Sequence, residues 1–162
     1  PVIARVNGLA LGGGLEMVLG CDIVIAADTA RFALPEAKVG RVPLDGGIVM
    51  LQRLIPRNIA VGMMMTGRMM LATEMAHYGL VNAVVPMAQL DAEVEAWVAD
   101  ILAAAPLSLR AIKAIARETA EMSIHDAFTR QTPELIDALN SEDANEGVMA
   151  FREKRLPIWK GR

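Results

Sequence analysis

The chain has 162 residues, one cysteine, two histidines, a net charge of −3 and an isoelectric point near 5.4. That length suits one domain with its own core, and the acidic balance lacks the basic field that holds nucleic acid. Apolar residues make up 54% with a mean hydropathy of +0.36, yet no stretch approaches the ~18 uncharged apolar residues of a membrane span, so a soluble chain that buries surface against other subunits is expected.

In chain order, Pro1-Val2-Ile3-Ala4-Arg5-Val6 reads as a strand cut near its start, and the chain as the C-terminal part of something longer. Asn7-Gly8 is a turn, Leu9 to Gly14 a loop freed by three glycines, and Leu15 to about Gly20 a short helix. Strands follow over 22–27 and 31–34, the second stopped by Pro35, and 39–47 reads as irregular. Apolar spacing places helices from Ile48, over 57–66 and over 72–78, before a last strand at 80–85. Beyond Pro86 the pattern is helical: 90–104, 107–121, 124–140 behind Ser123 and Asp126, and 142–155 behind Ser141. An α/β core over 1–86 and a helical region over 87–162 are the expected organisation.

Cys21 lies in an apolar run and reads as a small core residue, so an intracellular, cytoplasmic setting is expected. Neither histidine has a neighbour at ligand spacing, and no metal site is expected. The runs Met63-Met64-Met65 and Met69-Met70 read as core or subunit-interface filler.

Chemistry concentrates in two short stretches. Leu11-Gly12-Gly13-Gly14-Leu15-Glu16 puts a carboxylate one turn into a helix behind a flexible, glycine-rich start, and Phe32-Ala33-Leu34-Pro35-Glu36 puts a second at a strand end. The glycines match neither G-x-G-x-x-G nor a P-loop, which argues against a nucleotide phosphate site. Glycine does allow a backbone N–H to face a developing oxyanion, with Gly13 the candidate donor. Glu16 alone fits a first-turn acid that complements the helix dipole, and Glu36 alone fits a surface residue. Together, framed by Leu15, Met17 and Leu34, they suit an acid/base pair acting on a substrate with a carbonyl. A glycosidase also uses two carboxylates, but the chain has only six Phe, Trp and Tyr for stacking on sugar.

The ordered pattern Val6-Asn7-Gly8, Ala10-Leu11-Gly12-Gly13-Gly14-Leu15-Glu16, Cys21-Asp22, Phe32, Pro35-Glu36, Gly40, Pro43, Gly46-Gly47 and Gly79-Leu80-Val81 resembles the enoyl-CoA hydratase/isomerase (crotonase) superfamily along the whole chain. The ending, from Ser141-Glu142-Asp143-Ala144 to Trp159-Lys160-Gly161-Arg162, is most similar to carnitinyl-CoA dehydratase-like members. The resemblance implies an α/β spiral of ββα units followed by an all-helical trimerisation region, hence a homotrimer or a hexamer built as a dimer of trimers. It implies an acyl-CoA thioester substrate and no cofactor apart from the CoA that the substrate carries. Glu16 and Glu36 then stand where hydratases place their catalytic acids, and Gly13 where one oxyanion-hole N–H lies. Gly12, Pro35 and Leu44 fall on substrate-contacting positions, and Phe151 and Lys154 on positions approaching the CoA adenine and phosphates.

With both acids present, hydration or dehydration is favoured over double-bond isomerisation. Arg152, Lys154, Arg155, Lys160 and Arg162 give the tail a positive balance suited to a phosphorylated carrier. Two departures stand out. The family's N-terminal part, with its second oxyanion donor, is missing, which leaves a non-catalytic assembly module as a competing reading. Leu44-Asp45 replaces the small glycine-containing pair usual in hydratases.

Overall fold

The computed structural model describes residues 1–162, which divide into a unit of Val2–Trp97 and a unit of Val98–Arg162 together with Pro1.

The first unit is a spiral. Strands β1 (Ile3–Val6) and β2 (Leu9–Leu11) lead into helix α1 (Gly13–Leu19), and β3 (Ile23–Ala27) and β4 (Arg31–Ala33) repeat the step. A 3-10 turn (Glu36–Val39), α2 (Gly47–Leu54) and α3 (Arg57–Thr66) follow, and then β5 (Met70–Leu71), α4 (Ala72–His77) and β6 (Ala83–Val85). Two three-stranded sheets result, in the orders β1-β3-β6 and β2-β4-β5, all parallel except the antiparallel β4–β5 pair. Ile3 pairs with Ile23 and Leu9 with Arg31, so one turn of the spiral takes 20 to 22 residues.

Strand alternation sorts β3 between two cores. Val24 and Ala26 join a cluster with Leu15, Val18, Phe32, Leu34, Leu51, Met63 and Met75, while Ile25 and Ala27 face Leu90, with Val94 and Trp97 packed alongside. Phe32, Leu15 and Leu34 are fully enclosed, each worth roughly 1.5–3 kcal/mol of burial. The three buried apolar residues of α1, Leu15, Val18 and Leu19, follow i, i+3, i+4 spacing.

Several elements depart from the sequence expectation. Leu9–Leu11 is a strand rather than a loop, because Ala10 and Phe32 pair in the second sheet; the last strand begins at Ala83, not Leu80, and the glycine run forms the first turn of α1. Met17 points outward at 77% exposure and frames nothing. Gly79 does follow α4 with φ of 89°. Of the methionines, Met63 and Met70 are buried core, while Met65 and Met69 are exposed.

Helix α5 spans Leu90–Leu102, and the second unit contains α6 (Pro106–Thr119), α7 (Ile124–Thr129), α8 (Pro133–Leu139) and α9 (Glu142–Glu153). The single helix expected over 124–140 is broken. Pro133 cannot donate a backbone bond and holds Thr132 extended (φ −105°, ψ 155°), and the Thr132 side chain then caps α8 by accepting from the Leu135 N–H. Ser123 and Ser141 cap α7 and α9 by accepting from Asp126 and Ala144. The tail after α9 folds back along it: Asp143, 2% exposed, accepts from the N–H groups of Lys160 and Gly161, and Glu146 accepts from that of Ile158. Gly147 leaves room for the Trp159 ring, 3.2 Å from where a Cβ would stand.

Candidate active site

The carboxyl ends of the parallel strands β2 and β4 lie side by side, where ligands of α/β folds commonly bind. Gly12 joins them. Its N–H donates to the Ala33 carbonyl (2.9 Å), its own carbonyl accepts from the Glu16 N–H (3.0 Å), and its φ of 55° is one that glycine adopts without strain. A Cβ on Gly12 would stand 2.7 Å from Glu36 Oε1. The position therefore takes glycine for two reasons, backbone conformation and the carboxylate packed on it.

Gly13 opens α1, so its N–H has no acceptor inside the helix, and no side chain caps this end. The residue is exposed.

Glu16 is 9% exposed and its Oε1 accepts from the Gly47 N–H at 2.9 Å, placing the charge at the start of α2. Gly47 is closely walled: a Cβ there would lie 2.7 Å from Pro43 Cβ and 3.0 Å from both Glu16 Oε1 and Leu34 Cδ1. Glu36 begins the 3-10 turn directly after Pro35, and its Oε2 is the one buried side-chain oxygen or nitrogen with no hydrogen-bond partner in the chain. Such an atom costs roughly 1–3 kcal/mol in lost solvation, a penalty that native folds seldom keep without a use for it.

The two acids sit on successive turns of the spiral. Glu36 follows Glu16 by 20 residues, the step that pairs Ile3 with Ile23, and each carboxylate packs on a glycine. Glu36 packs on Gly12, which caps the helix of Glu16; Glu16 lies beside the Leu34 side chain, two residues before Glu36. Two carboxylates and a helix-start N–H are groups suited to acid/base work on a carbonyl compound.

Leu44 is 77% exposed, and Pro43 rather than Leu44 packs on Gly47. Phe151 is 85% exposed on α9, and Lys154 closes that helix with φ of 56°. The positive balance of the tail is largely answered within the unit: Arg155 pairs with Glu146 and Glu153, and Lys160 and Arg162 with Glu142. The Arg155 guanidinium and the Ile158 N–H hold Glu146 well below the usual carboxylate range, at about 2. Lys160, by hydrogen bond and by charge, lowers Glu142 as well.

Gly47 is the functional group that side-chain reasoning passes over. Its contribution is a backbone N–H, and the only sign of it in the sequence is a second glycine, Gly47 after Gly46, at a helix start.

The sequence pattern of the enoyl-CoA hydratase/isomerase family matches residues 1–162. The carnitinyl-CoA dehydratase of Shigella flexneri is 45% identical over 166 residues, covering 100% of this chain and 64% of that protein, and its Salmonella typhi counterpart is 44% identical over the same shares. Enoyl-CoA hydratase from Mycobacterium tuberculosis H37Rv superposes with a TM-score of 0.95 at 36% identity, over 100% of this chain and 64% of that one. The Bacillus anthracis enoyl-CoA hydratase also superposes at 0.95 and 36%, with 63% of its chain covered. The chain thus spans just under two thirds of the length of these relatives, and no helix is long and apolar enough to cross a membrane. It belongs to the enoyl-CoA hydratase/isomerase family and carries the α/β crotonase fold.

Proposed function

We propose that this chain carries the acid/base centre of a hydratase or dehydratase acting on enoyl-CoA and 3-hydroxyacyl-CoA thioesters. The reading rests chiefly on the buried, unpartnered Glu36 Oε2, with the Glu16 carboxylate anchored one turn of the spiral earlier.

In hydration, Glu16 takes a proton from water as the oxygen bonds to Cβ of the enoyl thioester. The Cα–Cβ double-bond electrons move onto the thioester oxygen, where the Gly13 N–H stabilises the enolate. Glu36 then delivers a proton to Cα, the carbonyl re-forms, and proton transfer from Glu16 to Glu36 restores the starting state. Dehydration runs these steps backward. The Gly47 N–H fixes one oxygen of Glu16, so the remaining oxygen of the base meets water in a set orientation. Gly12, Pro35 and Leu44 border the acyl group, and no cofactor beyond the CoA of the substrate takes part.

On the helical unit, the exposed Phe151 ring and Lys154 are assigned to the adenine and phosphates of CoA. Assembly as a homotrimer or dimer of trimers fits the many large apolar side chains that α6 to α9 leave exposed, among them Ile112, Ile124 and Phe128. Sedimentation of a monomer at micromolar concentration would remove that part.

The test is loss of the conjugated thioester's ultraviolet absorbance, followed on the chain at its full encoded length. Glu16→Gln and Glu36→Gln are each expected to lower turnover by about 10²–10⁴-fold, the usual range for a positioned acid or base. Wild-type turnover in both variants overturns the reading. A product with a moved double bond and no added water would assign the centre to isomerisation instead.

A further inference from the structure

The 3-10 turn that carries Glu36 is short, four residues, with Lys38 N–H bonded to the Pro35 carbonyl, and it is closed by Gly40 N–H to the Ala37 and Glu36 carbonyls and Arg41 N–H to that of Glu36. Such a turn is a loose support for a carboxylate that must hold one geometry. A second element steadies it. Helix α3 ends at Gly67 (φ 57°), and the Gly67 carbonyl accepts a 2.9 Å hydrogen bond from Lys38 Nζ. An ammonium at a helix C-terminus is favourably placed against the dipole and the unpaired carbonyls there.

The same glycine packs on both sides of Glu36. A Cβ at Gly67 would stand 2.8 Å from Lys38 Cε, 3.1 Å from Lys38 Cδ and 3.1 Å from the Pro35 Cα. Pro35 immediately precedes Glu36, and Lys38 follows it by two residues. The end of α3 therefore grips the segment at both flanks, by backbone contact on one and by a charged hydrogen bond on the other.

We infer that Lys38 is a positioning residue for Glu36, clamping its turn to the α3 terminus through the Gly67 carbonyl. The inference rests on the proposed role of Glu36 as the acid that protonates Cα. Lys38 touches no reacting atom in this scheme; it limits how far the Glu36 carboxylate strays from its place on Gly12.

Lys38→Met, which keeps the apolar stem and removes the ammonium, and Lys38→Arg, which restores a donor, form the test. For Lys38→Met, kcat is expected to fall about tenfold with KM changed less than about twofold, since misplacement of a catalytic group by an ångström can cost as much as a hundredfold. Lys38→Arg is expected to recover most of that loss. Amide exchange at Lys38, Gly40 and Arg41 is expected to quicken in Lys38→Met, a readout that needs no turnover. Gly67→Ala, whose Cβ would press on both the Lys38 stem and Pro35, is expected to reproduce the kcat loss.

Unchanged kcat and unchanged exchange in Lys38→Met overturn the clamp. So does a loss of kcat matched by an equal change in KM and a fall in melting temperature, which marks a merely structural role. Glu36→Gln separates the two proposals. If it retains full turnover, the reading of the site fails; if it is inactive while Lys38→Met turns over normally, only the clamp fails.

Discussion

In the spiral unit the largest fully buried side chains are Phe32, Leu15, Ile25, Leu34, Leu51, Met75 and Leu90; in the helical unit they are Thr132 and Asp143. The spiral is held by apolar cores on both faces of β3, the helical unit by polar groups that are satisfied one by one. Asp143 accepts two backbone N–H groups, Thr132 caps α8, and Ser141 caps α9. The difference shows where a fold can carry a functional defect. An apolar core does not depend on any one hydrogen bond, so the spiral tolerates Glu36 Oε2 without a partner. A unit built from hydrogen bonds has no such slack, and its buried acid is fully paired.

The sharpest way to break this contrast is to crowd the defect. Gly12→Ala puts a Cβ 2.7 Å from Glu36 Oε1 on a backbone that disfavours side chains. Turnover at full encoded length is expected to fall about a hundredfold or more, as for other displaced catalytic groups. A Gly12→Ala enzyme at the wild-type rate would show that the carboxylate need not sit against Gly12.

The core itself is tested next. Leu15→Ala empties a fully buried site between α1 and the sheets and is expected to cost roughly 2–5 kcal/mol in denaturant unfolding. Phe128→Ala in the helical unit, where the ring is 88% exposed, is expected to stay within about 0.5 kcal/mol for the monomer. Equal losses would erase the distinction between the units.

How much of this was legible in the residues follows the same division. Helices α3 and α9 stand close to where apolar spacing and, for α9, the Ser141 cap put them. The strand Leu9–Leu11 does not, because three residues carry no usable alternation and become a strand only through pairing with Arg31–Ala33. The break at Pro133 was written in the sequence, since proline restricts the residue before it, but the apolar spacing on either side masks it.

At the site, Glu16, Glu36 and Gly13 could be singled out because carboxylates and glycine runs have a recognisable chemistry. The Gly47 N–H and the grip of Lys38 on Gly67 could not, since a backbone donor and a backbone acceptor leave no trace in side-chain identity. The 20-residue interval acquires its meaning only once β1 and β3 are seen to pair at the same step.

Within the helical unit, Asp143→Ala leaves the N–H groups of Lys160 and Gly161 without their acceptor. The expected cost is about 1–3 kcal/mol, with faster amide exchange at those two residues. The proposed acid/base pair lies in the spiral, so a variant at its permissive temperature is expected to keep the response to Glu16→Gln and Glu36→Gln. Loss of that response would mean that the polar unit does more than hold its own tail.

The smallest effect is a pH response of the same tail. The Arg155 hydrogen bonds, aided by the Ile158 N–H, lower Glu146 from 4.5 to about 2, so the folded form favours the ionised acid more than the unfolded form does. The contribution is therefore complete above about pH 4.5 and disappears as pH falls through about 2. Protection of the Ile158 amide, which donates to Glu146 at 2.8 Å, should hold from neutral pH to about 4.5 and decline below it. In Glu146→Gln the amide keeps an oxygen to accept from Ile158 but has no charge to lose, so protection should start lower and stay flat across the same range. A wild-type profile equally flat would place the weight of the tail on Asp143 and Trp159, whose indole N–H donates to the Ala103 carbonyl, rather than on the ion pair.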